Sequence, residues 1–218
     1  MFPTVVTWNI IPEGTMETIE FEHPLARSIL TRMRDRDTGP DEFRRLAHRM
    51  GFMLAVEATR NIRTAPMHVE TPMEPTLGET TVDSPVIMPV LRAGLGILAP
   101  FQELLPDSKV AFVALRRDED TGRPDWLYDS VPDLAGSQVI VLDPMLATAG
   151  TASAVLDYLA DAGVRETTLV SVVAAPEGIH RLGAYENLTV ITVSVDRELD
   201  GRWFILPGLG DFGDRLYN

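Results

Sequence analysis

Apolar residues in the first third of the chain recur at helical spacing, whereas after Met67 they gather into short continuous runs. From Pro40 onward Phe43, Leu46, Met50, Leu54 and Glu57 fall near one stripe, which predicts a helix beginning around Gly39 with Asp41 and Glu42 in its first turn. A shorter helix is expected over Leu25 to Met33. Val86 to Leu91, Val110 to Leu115, Val139 to Leu142, Leu169 to Ala174 and Val190 to Val195 are rich in β-branched residues and lack polar alternation. Such runs suit strands buried on both faces of a parallel sheet. Helical patterns lie between several of them, notably Gly94 to Leu105 and Thr151 to Ala162, the latter closed by Gly163. Strand, helix, strand alternation predicts an α/β fold built from βαβ units around a mostly parallel sheet flanked by helices.

The whole chain, 218 residues and 45% hydrophobic, has apolar material for one sizeable core. Its 32 acidic residues outnumber 19 basic ones, and the net charge of -13 repels phosphate backbones and anionic lipids, so neither nucleic acid nor membrane is expected as a partner. With no cysteine, disulfides and thiolate chemistry are excluded, and a reducing, cytoplasmic setting is expected. Lys109 is the single lysine, which leaves arginine to recognise phosphate. The four histidines form no cluster, so no metal-ligating or general-base histidine is expected.

Chemistry concentrates where Val139-Ile140-Val141-Leu142 delivers Asp143, followed by Pro144, Met145, Leu146, Ala147, Thr148, Ala149, Gly150 and Thr151. A buried strand ends in an acid, and a loop of small and hydroxylated residues then opens into a helix. Small side chains expose backbone N–H groups and the helix N-terminus adds a favourable dipole, the geometry of a phosphate site. An acid beside phosphate makes sense if it meets ligand hydroxyls or a cation, so a sugar phosphate is implied. The plainer alternative is an ordinary strand–helix connection with Thr151 as N-cap. A second strand-to-helix turn, Leu91-Arg92-Ala93-Gly94-Leu95-Gly96, suggests a second anion pocket, with the glycines permitting close backbone approach and Arg92 aimed at the ligand. Between them the segment from Arg116 to Leu134 breaks the rhythm with charges, Gly122, Pro124 and Pro132, as a solvated hairpin or a flap over a site.

The acid followed by Thr-x-Gly-Thr at the mouth of a helix resembles the signature of the type I phosphoribosyltransferases, which bind phosphoribosyl pyrophosphate (PRPP). The wording Asp143-Pro144-Met145-Leu146-Ala147-Thr148 is similar to the uracil phosphoribosyltransferases in particular. His23-Pro24-Leu25, Phe43-Arg44, Glu57-Ala58-Thr59, Ala174-Ala175-Pro176-Glu177-Gly178 and Pro207-Gly208-Leu209-Gly210-Asp211 agree, so the resemblance covers nearly everything after residue 22. It implies a type I phosphoribosyltransferase domain over 23–218, with a hood over the carboxyl edge of the sheet from about 23–85 and the C-terminal segment, a flap at about 116–134, and an N-terminal extension over 1–22. It also implies that uracil and PRPP give UMP and pyrophosphate, with Mg²⁺ carried by PRPP rather than by a protein metal site. The resemblance gives Asp143, Arg92 and Arg117 the catalytic roles. Arg92 and Arg117 would meet the pyrophosphate, residues 143–151 the ribose and 5-phosphate, and Asp211 also PRPP. Ile205, Gly210, Asp211 and Phe212 would hold uracil largely through main-chain groups, and a homodimer or higher homo-oligomer is expected.

Three substitutions depart from that pattern: Ala149 in place of a usual glycine, Asp129 where a flap lysine is expected, and Phe212 in place of a small alanine. They keep open a divergent relative acting on another base, or a non-catalytic nucleotide-binding regulator. Gly208-Leu209-Gly210-Asp211-Phe212-Gly213 satisfies G-x-G-x-x-G, but only five residues remain after it, too few for a dinucleotide-binding unit.

Overall fold

The computed structural model describes residues 16–117 and 124–218, the side chains at 116, 117, 124 and 125 excepted. The chain begins with β1 (Glu17–Glu20), α1 (Pro24–Arg34), α2 (Pro40–Ala58) and the hairpin β2 (Thr64–Glu70) and β3 (Pro75–Thr81). There follow β4 (Val86–Leu91), α3 (Leu95–Leu104), β5 (Phe112–Arg117), β6 (Pro124–Ser130), β7 (Gln138–Leu142), β8 (Met145–Leu146) and α4 (Gly150–Asp161). The last third holds β9 (Glu166–Val170), β10 (Val173–Ala174), α5 (Pro176–Leu182), β11 (Leu188–Thr192), β12 (Ser194–Val195), β13 (Glu198–Leu199), β14 (Ile205–Leu206) and α6 (Phe212–Tyr217).

Seven strands form the central sheet in the order β1-β11-β9-β7-β4-β5-β6. All pairs are parallel except β5 with β6, an antiparallel hairpin at one edge. The continuous apolar runs are explained by the pleat, which sends successive side chains to opposite faces. Val139 and Val141 of β7 join Val86, Met88 and Val90 in a cluster covered by Val155, Leu156 and Leu159 of α4. Ile140 and Leu142 join Ile87, Val170 and Ile191 in the opposite cluster, covered by α1, α2, α3 and α6. Each fully buried aliphatic side chain contributes about 1.5–3 kcal/mol to this two-faced core.

The predicted stripe of α2 is buried along its length, from Phe43 to Glu57. Of the segments expected in a hood, α1 and α2 lie against the sheet face, whereas β2 and β3 pair only with each other as a separate two-stranded sheet. Residues 17–20, expected in the N-terminal extension, form the edge strand β1 on β11. Residues 1–15, and Asp118 to Arg123 at the tip of the expected flap, lie outside the described residues.

Candidate active site

β4 and β7 are parallel neighbours, paired from Val86 with Val139 to Pro89 with Leu142. The helices that follow them leave on opposite faces, α3 with the Ile140–Leu142 cluster and α4 with the Val139–Val141 cluster. Their connections therefore diverge and open a crevice at the carboxyl ends of the strands, the switch point where open α/β sheets bind ligands. A cleft of about 290 Å³ occupies it. Residues 90–93 at the end of β4 and just past it, Leu115 of β5, Asp143, residues 145–152, Asp211 and Gly213 line it.

Asp143 lies half-buried in this cleft, one residue past β7. Its main chain is fixed by an N–H bond to the Val170 carbonyl at 3.0 Å and by the Ser171 hydroxyl, which donates to the Asp143 carbonyl at 2.6 Å. Burial pushes the Asp143 carboxyl up to about 6, moderated by a hydrogen bond from the Met145 N–H. Pro144 is buried behind the loop, where its carbonyl accepts the N–H groups of Val172 and Val173, and it does not line the cleft. Ala149 then takes a left-handed turn, φ 57°, at the N-cap of α4. The N-cap is Ala149 rather than Thr151 and makes no side-chain cap bond; the Thr148 hydroxyl accepts the Gly150 N–H at 3.4 Å, and the first turn of this 12-residue helix borders the cleft beside Thr148 and Thr151. That arrangement suits an anion.

Arg92 borders the cleft from the end of β4, exposed, with its guanidinium 3.2 Å from the Asp214 carboxylate and over the Tyr217 ring at 5.7 Å. Gly94 serves protein packing rather than approach to a ligand, because a Cβ there would lie 2.4 Å from the Leu142 carbonyl. It lets the turn after β4 pack against the last residue of β7. The backbone of Arg117 ends β5, while its side chain lies outside the described residues. Asp129 is exposed on β6 and does not line the cleft.

Asp211 lines the cleft as N-cap of α6, its carboxylate accepting the Asp214 N–H at 2.8 Å. The remaining residues of the expected base pocket are disposed differently. Gly210 is exposed beside Asp211, while Ile205 and Phe212 are buried. The Phe212 ring meets Phe43 edge-on at 5.2 Å within the core, so the bulk that stands in place of a small alanine fills the interior. The structure therefore brings together Arg92, Asp143, residues 145–151 and Asp211. Ser171, which holds the Asp143 main chain, was legible only as a polar residue inside the apolar run from Leu169 to Ala174.

A family model described as Uracil phosphoribosyltransferase matches residues 20–218. A uracil phosphoribosyltransferase of Nocardioides sp. is 42% identical over 209 residues, covering 93% of this chain and 98% of the relative. One from Kineococcus radiotolerans is 44% identical over 202 residues, covering 90% and 96%. Among solved structures, a protein of Aquifex aeolicus superposes with a TM-score of 0.86 at 34% identity, covering 92% of this chain and 97% of that one. A hypoxanthine-guanine phosphoribosyltransferase from Bacillus anthracis shares the fold at a TM-score of 0.50 and 14% identity, covering 71% and 80%.

Proposed function

The chain belongs to the uracil phosphoribosyltransferase family, and from that premise we propose that it joins uracil to PRPP in the cleft between β4 and β7, giving UMP and pyrophosphate. The observation that carries this reading is the meeting, at one switch point, of a loop of small and hydroxylated residues with a helix end, the Asp143 carboxylate, and an arginine from the neighbouring strand.

In this reaction the bond from ribose C1 to the pyrophosphate oxygen breaks, a bond from C1 to uracil N1 forms, and the N1 proton passes to the departing pyrophosphate. Positive charge develops on C1 and the ring oxygen as the leaving group departs. Residues 147–151 hold the 5-phosphate through main-chain N–H groups and hydroxyls, which fixes the ribose over Asp143. The Asp143 carboxylate orients the ribose hydroxyls and complements the developing positive charge. Arg92 and, by resemblance, Arg117 take up charge on the departing pyrophosphate. Arg92 must exchange its contact with Asp214 for the substrate's oxygens, which a guanidinium on a flexible stem can do without backbone movement. Uracil, with its fixed pattern of acceptor, donor and acceptor, is read by main-chain groups around Ile205 and residues 210–212.

Among the described residues no cluster of three metal-ligating side chains exists. Asp143 and Asp211 nevertheless line the cleft, and one or two carboxylates together with substrate phosphates is how Mg²⁺ is commonly held. The residues thus fit a Mg²⁺ that arrives on PRPP and neutralises leaving-group charge.

A cytoplasmic setting and a homo-oligomer belong to the same reading. The first is supported by the cysteine-free composition, the second by the β2–β3 hairpin. A two-stranded sheet alone is marginally stable in water, and this one exposes Met67 and Leu77. The function is tested by offering uracil, cytosine, hypoxanthine and orotate in turn with PRPP and Mg²⁺. Uracil is expected to be turned over fastest, and faster turnover of any other base overturns the substrate assignment.

A further inference from the structure

Ile205 and residues 210–212 are expected to recognise the base by main chain, and a main chain recognises only as well as its peptide planes are fixed. The side chains that fix them lie outside the cleft. Arg34, the last residue of α1, forks onto Asp196, with Nη1 to Oδ2 at 2.7 Å and Nη2 to Oδ1 at 2.5 Å. The Asp196 side chain is only 2% exposed, and Arg34 is 23% exposed. Asp196 Oδ2 also accepts the Gly208 N–H at 2.9 Å, while Arg34 Nη1 donates to the Gly208 carbonyl at 2.8 Å. Both polar groups of one buried peptide residue are thus taken by one ion pair. Ser194 completes the unit, its hydroxyl donating to Asp196 Oδ1 at 2.9 Å and accepting from Arg34 Nη2 at 3.2 Å.

The next carbonyl is held from the other side. Arg215 Nη1 donates to the Leu209 carbonyl at 2.8 Å and to that of Met33, and Nη2 donates to the carbonyls of Asp35 at 2.7 Å and Thr38 at 3.3 Å. The guanidinium lies over the Phe43 ring at 4.4 Å. Two guanidiniums therefore fix successive carbonyls, those of Gly208 and Leu209, to the C-terminal end of α1. Gly208 itself requires the absence of a side chain, with φ at +62° and a notional Cβ 2.3 Å from the Ile205 carbonyl. The loop is held in this conformation immediately before Gly210 and Asp211.

We propose that Arg34, Asp196 and Arg215 are positioning residues for base selection, which act by fixing the peptide planes of Gly208 and Leu209 so that the groups of residues 210–212 meet the base in register. This rests on the reading of that loop as the base site, and it adds a specificity device on α1, just after β12 and on α6 that lies outside the cleft. Asp196 suits the role because burial, which would raise its pKa, is outweighed by the bonds from Arg34, Ser194 and the Gly208 N–H, which hold its carboxyl below the usual range. The Arg34 fork and the Arg215 clasp are geometries that lysine cannot reproduce.

The test measures KM for uracil, KM for PRPP, kcat and Tm in the wild-type enzyme and in Arg34→Lys, Arg215→Lys, Asp196→Asn and Ser194→Ala. The first three are expected to raise KM for uracil tenfold or more and to narrow the preference for uracil over cytosine, with KM for PRPP within threefold of wild type. Ser194→Ala removes one hydroxyl and keeps the ion pair, so it should fold like wild type and raise KM for uracil about threefold. It decides the matter if the arginine variants fail to fold. A merely structural role would lower Tm with KM for uracil unchanged, or would raise both KM values together, and either result overturns the proposal. Absence of uracil turnover in the wild-type arm would instead overturn the assignment of the base site, and the positioning role with it.

Discussion

In the proposed role Asp143 meets the ribose hydroxyls as a carboxylate, yet its surroundings resist the charge and raise its carboxyl to about 6. In the free enzyme the fraction able to bind PRPP in this way therefore grows as pH rises through about 6. The substrate's 5-phosphate titrates in the same range, with a second pKa of about 6, so the limb is assignable only by substitution. Asp143→Asn should lower kcat/KM for PRPP by at least ~100-fold, the scale of one preorganised charge at a developing charge, and should abolish the part of the profile due to the enzyme. The linkage has the opposite sign for stability: because the folded-state pKa lies above the unfolded one, stability falls as pH rises from about 4 to 6, and the Asn variant should lose that slope in melts recorded across the range. At Arg92, lysine keeps the charge and loses the fork, and Arg92→Lys should weaken PRPP handling by about 1–3 kcal/mol, read from kcat/KM. Phe212→Ala opens a cavity beside Phe43 and should cost about 3–5 kcal/mol of stability in denaturant melts, leaving the order of base preference unchanged. That the loop from Asp143 to Thr151, apart from Pro144, would border a cleft was legible from its residues, since an acid, small residues and hydroxyls stand there at a strand–helix junction. The burial of Phe212 was not legible, because a local motif carries no information about which face of a short helix meets a distant Phe43.

At the scale of elements, continuous apolar runs announced strands, and their doubly buried character announced helices on both faces. β1 escaped notice because an edge strand needs only one apolar flank, and Glu17-Thr18-Ile19-Glu20 offers a single apolar residue to a parallel neighbour. Gly94 was read as room for a ligand, yet it is room for another strand's end: the turn after β4 approaches β7 so closely that the Leu142 carbonyl lies 2.4 Å from where a Cβ would go. Gly94→Ala should therefore shift the Asp143 connection, destabilise the protein by about 1–3 kcal/mol as overpacking does, and reduce kcat/KM for PRPP by more than its effect on Tm at assay temperature explains. Full activity with a wild-type melt would show that the two connections tolerate separation. The Arg34–Asp196 pair was accessible in part, since an acid directly after the apolar run from Val190 to Val195 is the same signal that flagged Asp143. Its partner, 162 positions earlier, was not accessible.

The molecule as a whole is strongly acidic, with a charge of -13, while its proposed substrate is an anion. The long-range field opposes capture, so attraction must come from the local arrangement of Arg92, the α4 N-terminus and substrate-borne cation, and it should be screened by salt far less than a general basic field would be. The same charge argues against a regulator that binds RNA. The β2–β3 hairpin, exposed and paired only with itself, is the element that most needs a neighbour. Met67→Glu combined with Leu77→Glu should lower the mass measured by light scattering, and an unchanged mass would place any subunit contact elsewhere. The central claim, that the cleft containing Asp143 transfers phosphoribose to uracil, is tested most directly by product analysis of wild type and Asp143→Asn side by side with uracil, PRPP and Mg²⁺. The account predicts UMP from the wild-type protein and a loss of at least ~100-fold in a variant that melts as a folded protein; no UMP from wild type, or equal UMP from both, would contradict it.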